Sequence, residues 1–578
     1  MNEIQRPPET FEEIRERPEA GIPRPERFVE LLREYSSEEH AQAYEKVLDM
    51  SRAFKEAGGR ALLVGGSVRD LYFGKISKDF DVEVYGLEPE KILEIAKAHG
   101  RVDDVGDAFA VLKITFGSGI DIDLSLPRTD SKMSEAEKQE AGAEDRKDGK
   151  NKKRSAHTDF NVKADPYMSI QEAARRRDFT MNAMGADPLT GEVFDYYGGI
   201  EDIKHHRLVV TDGVRFQDDP LRVLRAVQFV GRFGLNIDSS KELVVSEPGQ
   251  PEVKKNSFEL MQEMVPLLKD IPKERHLEEW KKLMLKSELP SVGLQEALRL
   301  GVLEELHEEL YKLKETPQDP GWHPEGDVWI HSIMAVNEAA RICRLEGLEK
   351  DEAWVQMLTA LCHDLGKPDV TEVNEKGRIT SKKHEPEGAE PANRFMESLG
   401  VDKKTQQKVV KLVESHLAPS MLYIADQKAV SPNEKVSDGA IRRLAARIHP
   451  ATITELVRVA KADHLGRGPF RDPVFEDWVS YPEEFPAEQW LLERAQKVNV
   501  EDGKPKPLVG GKDLIELKFK PSNKAGERFG EVMALTDDLR DDGEYTREQI
   551  IDILRPLSPD TPKAIAELQK LVEKVQGK

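Results

Sequence analysis

The chain has 578 residues, of which 38% are hydrophobic and 34% charged, and a formal net charge of −22. So much apolar material, with 20 Phe and 14 Met, excludes a disordered chain, and the length exceeds one ordinary core, so about three to five domains are expected. The acidity excludes non-specific coating of nucleic acid, which draws on Lys and Arg displacing counterions; DNA is not an expected partner, and any RNA footprint must be small and locally basic.

No apolar run reaches the roughly 18 residues of a membrane span, and the acidic, polar start lacks a signal peptide's basic patch and apolar stretch. A cytoplasmic protein with no membrane partner is expected. Cys343 and Cys362 cannot build a disulfide framework or a cysteine zinc site, which fits a reducing compartment.

In chain order, residues 25–57 carry apolar positions at helical spacing and read as one broken or two short amphipathic helices, ended by Gly58 and Gly59. RALLVGGSVRDLYFG reads as a strand, a double glycine and a helix start. DFDVEVYG and GIDIDLSLP alternate acidic and apolar residues as half-buried strands do, with the helix PEKILEIAKAHG between them, so the first unit is α/β. Residues 130–157 carry dense mixed charge and no aromatic residue, and predict a mobile surface loop. QEAARRRDFTMNAMG predicts a helix, LTGEVFDYYGG a hairpin, and DDPLRVLRAVQFVGRFG the start of a long helical run. After TPQDPGWHPEG nearly everything through Gly466 is helix-like, and a Pro-rich join leads to a helical tail. The fold class is multidomain α+β.

Asp79 and Asp81, two apart on a strand, leave the same face, and Asp121 and Asp123 repeat the spacing. Such carboxylates repel one another unless a divalent cation sits among them, and Mg2+ suits oxygen-only ligands and a triphosphate. Gly65 and Gly66 allow backbone N–H groups close to phosphate oxygens; the bland alternative is a tight turn beside a solvated strand face. Arg176, Arg177 and Asp178, with Asn182 one helical turn on, offer donors and an acceptor on neighbouring faces, or an ordinary surface ion pair. Asp219 before Pro220 has the form of a helix N-cap, yet Arg222 and Arg225 beside it complete the donor and acceptor needed to read a nucleobase edge.

Farther on, His331, His363, Asp364 and Asp463 are spread over helices, with His384 and His416 between them. A His-Asp pair beside an apolar run costs desolvation unless paired or metallated, and this donor set suits Mn, Fe, Co, Ni or Zn while admitting Mg. Lys506, Lys512, Lys518, Lys520, Lys524 and Arg528 form a basic strip.

LVGGSVRD, KDFDVEVYG, RRRDFTMNAM and DDPLRVLRAVQF, in this order, resemble the successive signatures of the bacterial-type (class II) tRNA nucleotidyltransferase and poly(A) polymerase family, over roughly residues 55–540. GWHPEGDVWIHS, KHEPEGA and ADHLGR resemble the HD phosphohydrolase domain attached to some of its members. The resemblance implies Asp79 and Asp81 as Mg2+ ligands with Asp123 as third catalytic carboxylate, and Gly65, Gly66 and Arg69 at the triphosphate. It implies nucleotide contacts from Arg176, Arg177, Asn182 and Arg225, the ribose hydroxyl on Asp178, and Asp219 with Arg222 on the base edge of CTP or ATP. In the HD part it implies His331, His363, Asp364 and Asp463 as ligands of a divalent transition metal (Mn, Ni, Co or Zn) or Mg2+, with Lys367, His384 and His416 as accessory positions.

The activity so implied is CCA addition to the tRNA 3′ end, plus hydrolysis of a phosphate ester such as a 2′,3′-cyclic or 2′-phosphate on damaged tRNA ends. CC-only, A-only and poly(A) synthesis share these motifs, and a non-catalytic tRNA-binding scaffold is the rival of another class. Lys512, Lys518, Lys520 and Lys524 are expected on the acceptor arm, and a homodimer is admitted. The departures are Asp218 where the family has Glu, Val209 where it often has Arg, and Lys518 and Ser522 in place of glycines. The expected division is a helical extension (1–58), a nucleotidyltransferase palm (59–190), a base-recognition and neck region (191–320), an HD domain (321–470) and a helical tail (471–578).

Overall fold

The computed structural model describes residues 25–77, 79–103, 111–116, 120–132, 160–431, 434–467, 484–519, 526–543 and 545–575. Two compact units emerge, the first comprising residues 1–283 and 295–305, the second residues 284–294 and 306–578.

The first unit opens with α1 (Pro25–Tyr35) and α2 (Glu38–Glu56), separated where Ser37 caps α2 by accepting the His40 N–H. Gly58, at φ +92°, supplies the left-handed turn that ends the pair. The inner face of α2 carries Tyr44, Val47 and Phe54, all buried, and the Tyr44 ring lies 5.7 Å from Phe80 of the sheet. The expected N-terminal helices thus pack into the core of the α/β unit.

The sheet is built from β1 (Arg60–Val64), β2 (Phe80–Tyr85), β3 (Arg101–Asp103), β4 (Val111–Phe116), β5 (Ile120–Ser125), β8 (Gly185–Ala186) and β9 (Val193–Phe194), in the order β3-β4-β5-β2-β1-β8-β9. The crossover carrying helix α4 (Pro89–His99) follows β2, and β2 and β5 pair in parallel with Asp81 opposite Asp123. Helix α3 (Gly66–Tyr72) starts directly after β1. A separate ladder joins β6 (Arg128–Lys132) and β7 (Phe160–Ala164). Residues 130–132, expected in the charged loop, are therefore strand, and its remainder lies outside the described residues.

Three local expectations change. QEAARRRDFTMNAMG is not one helix: α5 (Ile170–Arg175) stops, Phe179 runs extended, and Thr180–Asn182 form a 3-10 turn. Asp178 accepts its neighbour's N–H (Phe179, 2.9 Å), a local bond that competes with helix, while Phe179 bridges to Val210. Asp79 lies just ahead of β2, not on it. Asp219 does not cap α6 (Arg222–Phe233), whose N-cap is Leu221 without a side-chain bond; Asp219 instead accepts the Leu221 N–H at 3.1 Å.

In the second unit α7 (Val328–Leu345) packs against α8 (Lys350–Cys362) and α9 (Ile453–Leu465). Asp327 caps α7, and Thr452 with Glu455 forms a capping box on α9. The tail helices Gly511–Glu516, Gly526–Gly543, Arg547–Leu554 and Thr561–Val575 share a core that includes Leu514, Val532, Leu539 and Leu568. No described helix is long and apolar enough to cross a membrane.

Candidate active sites

In the first unit Gly65, Gly66, Arg69, Asp81, Arg176, Arg177, Asp178, Asn182, Asp219, Arg222 and Arg225 line one cleft of about 320 Å³, joined by Leu221 and Arg275. Six arginines outnumber three aspartates there, so an acidic chain presents a locally cationic hollow suited to a polyphosphate. Gly65 sits at φ +61°, a left-handed conformation that favours glycine, and a Cβ on it would stand 2.9 Å from Arg177 Nη1 and 3.7 Å from Asp81 Oδ2.

The arginines are held, each by different means. Arg69 is buried, donates to Asn182 Oδ1 at 2.8 Å and Asp70 Oδ1 at 2.6 Å, and lies 4.9 Å over the Phe233 ring. Asn182 donates onward to Asp178 Oδ1 (2.8 Å), whose Oδ2 accepts from Arg225 at 2.7 Å, so a continuous network orders this wall. Burial works to raise the Asp178 carboxyl, and the Arg225 guanidinium overcomes it, holding that acid below its ordinary range. Arg222 donates to the Arg215 and Arg176 carbonyls at 2.7 and 2.8 Å, while Asp219 accepts from Arg275 at 2.8 Å. Asp219 and Arg222 therefore share the cleft, each anchored to a different partner.

Asp81 behaves differently. Burial pushes its carboxyl up to about 6, with Arg177 opposing and the charges of Asp123 and Asp79 adding to the rise. Asp123 is raised as well, first by burial and despite Lys113. Asp121 is turned to Lys113, 2.6 Å away. Mutually destabilised, oxygen-only carboxylates in register on β2 and β5 fit a hard divalent cation. As a set of three they do not close to the 4.8 Å mutual spacing that, among the described residues, occurs only in the second unit.

That second unit gathers four histidines and two aspartates. His363, His384 and His416 each direct Nδ1 to a backbone carbonyl, those of Ala360, Ser381 and Val413, at 2.7–2.9 Å. His331 directs Nδ1 to Glu325 at 2.8 Å. With Nδ1 on a carbonyl in three of the rings and beside Glu325 in the fourth, Nε2 of every ring faces inward: His363 and His331 Nε2 lie 3.2 Å apart, His384 and His416 Nε2 3.4 Å apart. Asp364 sits between the pairs, Oδ2 at 3.2 Å from His363 and Oδ1 at 3.2 Å from His384, while Asp463 Oδ1 is 3.0 Å from His331. Lone pairs converging this way repel unless a proton or cation lies among them, and the donors of His331, His363 and Asp364, of His363, His416 and Asp463, and of Asp364, His384 and His416 each stand close enough together to share a divalent metal.

Burial would raise Asp364, but His363 and Lys367 hold it well below its ordinary range; burial would likewise raise Asp463, but Arg467 and His331 hold it low. His416 is pushed down to about 3 by burial and by His363 and His384, leaving a neutral imidazole. Lys367 reaches Asp364 at 2.7 Å and Gln318 at 2.6 Å.

Sequence reasoning passed over six residues here. Glu83, buried and bonded to Arg176 at 2.9 Å, continues the alternation of Asp79 and Asp81, so its signal was present. Glu325 and His323, 2.8 Å apart, stand within the quoted GWHPEGDVWIHS, and Arg467 ends ADHLGR. Arg275 and Gln318 had no local signal, since their partners are 56 and 49 residues away. In the tail Lys512 and Lys518 are exposed, whereas Lys520 and Lys524 lie outside the described residues.

Residues 61–209 match the Poly A polymerase head domain, residues 252–313 the probable RNA and SrmB-binding site of polymerase A, and residues 328–467 the HD domain. The Multifunctional CCA protein of Xanthomonas campestris is 30% identical over 408 residues, 70% of this chain and 85% of the relative. The chain belongs to the CCA-adding enzyme and poly(A) polymerase family, with an HD domain. Another member, the Multifunctional CCA protein of Pasteurella multocida, is 29% identical over 455 residues, 76% of this chain and 90% of the relative. The Bacillus stearothermophilus CCA-adding enzyme in complex with CTP is 19% identical with a TM-score of 0.53, covering 92% of this chain and 98% of that one, a likeness of fold. Family membership makes this a nucleotidyltransferase-type chain whose HD part carries a metal-type donor set.

Proposed function

We propose that this chain adds C and A to the 3′ end of tRNA from CTP and ATP, and that its His/Asp cluster hydrolyses a phosphate ester. The observation carrying the first reading is the cationic cleft in which Gly65, Asp81 and six arginines meet, within a chain of net charge −22. Asp79 and Asp81, with Asp123 alongside, would hold Mg2+, which lowers the pKa of an attacking hydroxyl and offsets charge on the leaving pyrophosphate. The chain's own side chains position the nucleotide. Arg69 and Arg177 flank the Gly65 turn for the triphosphate, Asp178 receives the ribose hydroxyl, and Asp219 and Arg222 present an acceptor and a donor to the base. The 3′ oxygen forms its bond to the α-phosphorus, the α–β anhydride bond breaks, pyrophosphate leaves, and the hydroxyl proton passes to solvent.

Five functional segments with the boundaries expected from sequence, a cytoplasmic location fitting the buried free thiols Cys343 and Cys362, and tRNA contacts through exposed Lys512 and Lys518 complete the reading. For the HD part, four inward Nε2 atoms and two aspartates support Mn, Ni, Co, Zn or Mg2+ and a 2′,3′-cyclic or 2′-phosphate substrate. Purified protein is offered tRNA lacking its last one, two or three nucleotides, with labelled CTP or ATP. Ordered C, C and A incorporation is expected. Incorporation stopping after CC, of A alone, or of an A tract replaces this reading with the corresponding narrower activity, and tRNA binding without any incorporation replaces it with the scaffold.

A further inference from the structure

The chain has six tryptophans, and three of them show the usual fate: Trp280, Trp329 and Trp354 are at most 4% exposed. Trp322 is 70% exposed. A bare indole forfeits the burial that its size would otherwise gain, so its position is informative. It lines the mouth of a hollow of about 260 Å³ whose floor includes Asp364, His384 and His416, and whose wall carries Ile379 and Leu417. The hollow thus carries charged groups at its base, where Lys367 and Arg467 pair with the aspartates, and two aliphatic side chains in its lining. A phosphate needs only the base. An indole lining the same hollow as two aliphatic side chains fits a planar ring attached to that phosphate through a sugar.

We propose that Trp322 is a specificity-determining residue of the HD site, stacking the nucleobase of a substrate whose 2′- or 2′,3′-cyclic phosphate lies on the His/Asp floor. This rests on the phosphohydrolase reading above and adds which side chain of this chain holds the base of the substrate. Every base has a π-face, so stacking selects nucleotides as a class with little choice among the four bases. In the cyclic ester the water oxygen forms a bond to phosphorus, one ribose P–O bond breaks, and that ribose oxygen takes the proton.

The test compares wild type, Trp322→Ala and Trp322→Phe in the full chain, with Mn, Co, Ni, Zn and Mg supplied in turn. Substrates are a nucleoside 2′,3′-cyclic phosphate, an oligoribonucleotide ending in one, and base-free glycerol 1,2-cyclic phosphate. Trp322→Ala is expected to raise KM for both nucleotide substrates about 10- to 100-fold with kcat little changed, and to leave glycerol ester kcat/KM and CTP incorporation unaltered. Trp322→Phe restores most of the loss. A loss confined to the oligoribonucleotide identifies an RNA end as the source, and an equal loss for both includes free nucleotides. Equal loss on the glycerol ester, or none on nucleotides, overturns the proposal. If wild type hydrolyses none of the esters, the phosphohydrolase reading fails, and stacking is still read by titrating a nucleoside 2′-monophosphate. Fluorescence quenching present in wild type and missing in Trp322→Phe supports the base contact, and identical quenching in both overturns it.

Discussion

The transferase cleft and the His/Asp cluster both bury carboxylates, yet burial ends in opposite results. Asp81 is pushed up to about 6 by burial, which Arg177 opposes and the charges of Asp123 and Asp79 reinforce. Asp364 and Asp463, more deeply buried, are held well below their ordinary range because imidazoles, Lys367 and Arg467 surround them. Burial raises all three carboxyls, and the direction of each shift is set by whether the surrounding cations together outweigh it. In the cleft the arginines outnumber the aspartates and suit a polyanion, whereas the cluster pairs its aspartates with Lys367 and Arg467, and a metal entering it competes with them.

The sharpest way to break this comparison is to disable each region in turn. Asp79→Ala with Asp81→Ala should lower CTP and ATP incorporation on the order of a thousandfold or more, with tRNA binding and ester hydrolysis retained. His363→Ala with Asp364→Ala should abolish hydrolysis and spare incorporation. Parallel assays on both folded variants decide the matter, and coupled losses would mean one functional unit instead of two.

A smaller effect is expected at Asp178, whose network with Arg225 and Asn182 orders the cleft wall. Asp178→Asn should destabilise the protein by about 2 kcal/mol at pH 7, because Arg225 loses its partner. Since the folded carboxyl titrates below its ordinary 3.8, its stabilising contribution is complete above that value and disappears as pH falls through the depressed one. Urea unfolding should accordingly show a constant gap between wild type and variant from pH 7 to about 4.5, closing only in stronger acid. A gap that closes near pH 6 would contradict the ion pair.

Next in size is selectivity. Arg222→Ala should reduce discrimination of CTP and ATP against GTP and UTP by about tenfold beyond any common loss of rate, as kcat/KM for the four triphosphates would record. A uniform loss would leave Arg222 as a clamp on the Arg215 and Arg176 carbonyls.

The smallest effect concerns a backbone position in the tail. Lys518 follows the helix Gly511–Glu516 at φ +68°, with its N–H on the Ile515 carbonyl and the Phe519 N–H on Leu514, the bonding of a Schellman turn that favours glycine. Lys518→Gly should stabilise the tail by about 1 kcal/mol in thermal unfolding, while weakening tRNA binding if its ammonium meets phosphate. Unchanged stability would show that the left-handed turn costs the lysine nothing.

Sequence alone determined the order of the parts and most of the chemistry. Strand alternation around Asp81 and Asp123, the Gly65-Gly66 turn, the strand β9 of the expected hairpin, the helices bearing His331 and Asp463, and the helix end at His363 were legible because period 2, period 3.6 and glycine are local signals, while the hairpin's other strand, β8, lies ahead of the segment expected to form it. The resemblance also foretold the family. Long-range closure was not legible. Only the fold decided that Arg275 takes Asp219, that Glu83 takes Arg176, and that Asp178 breaks the helix expected around it while Phe179 pairs with Val210. Only the fold likewise turned four Nε2 atoms toward Asp364, because ring direction depends on what each Nδ1 meets, a backbone carbonyl for His363, His384 and His416 and the Glu325 carboxylate for His331. Side-chain type and spacing are written along the chain, but hydrogen-bond partners tens of residues apart are chosen by packing.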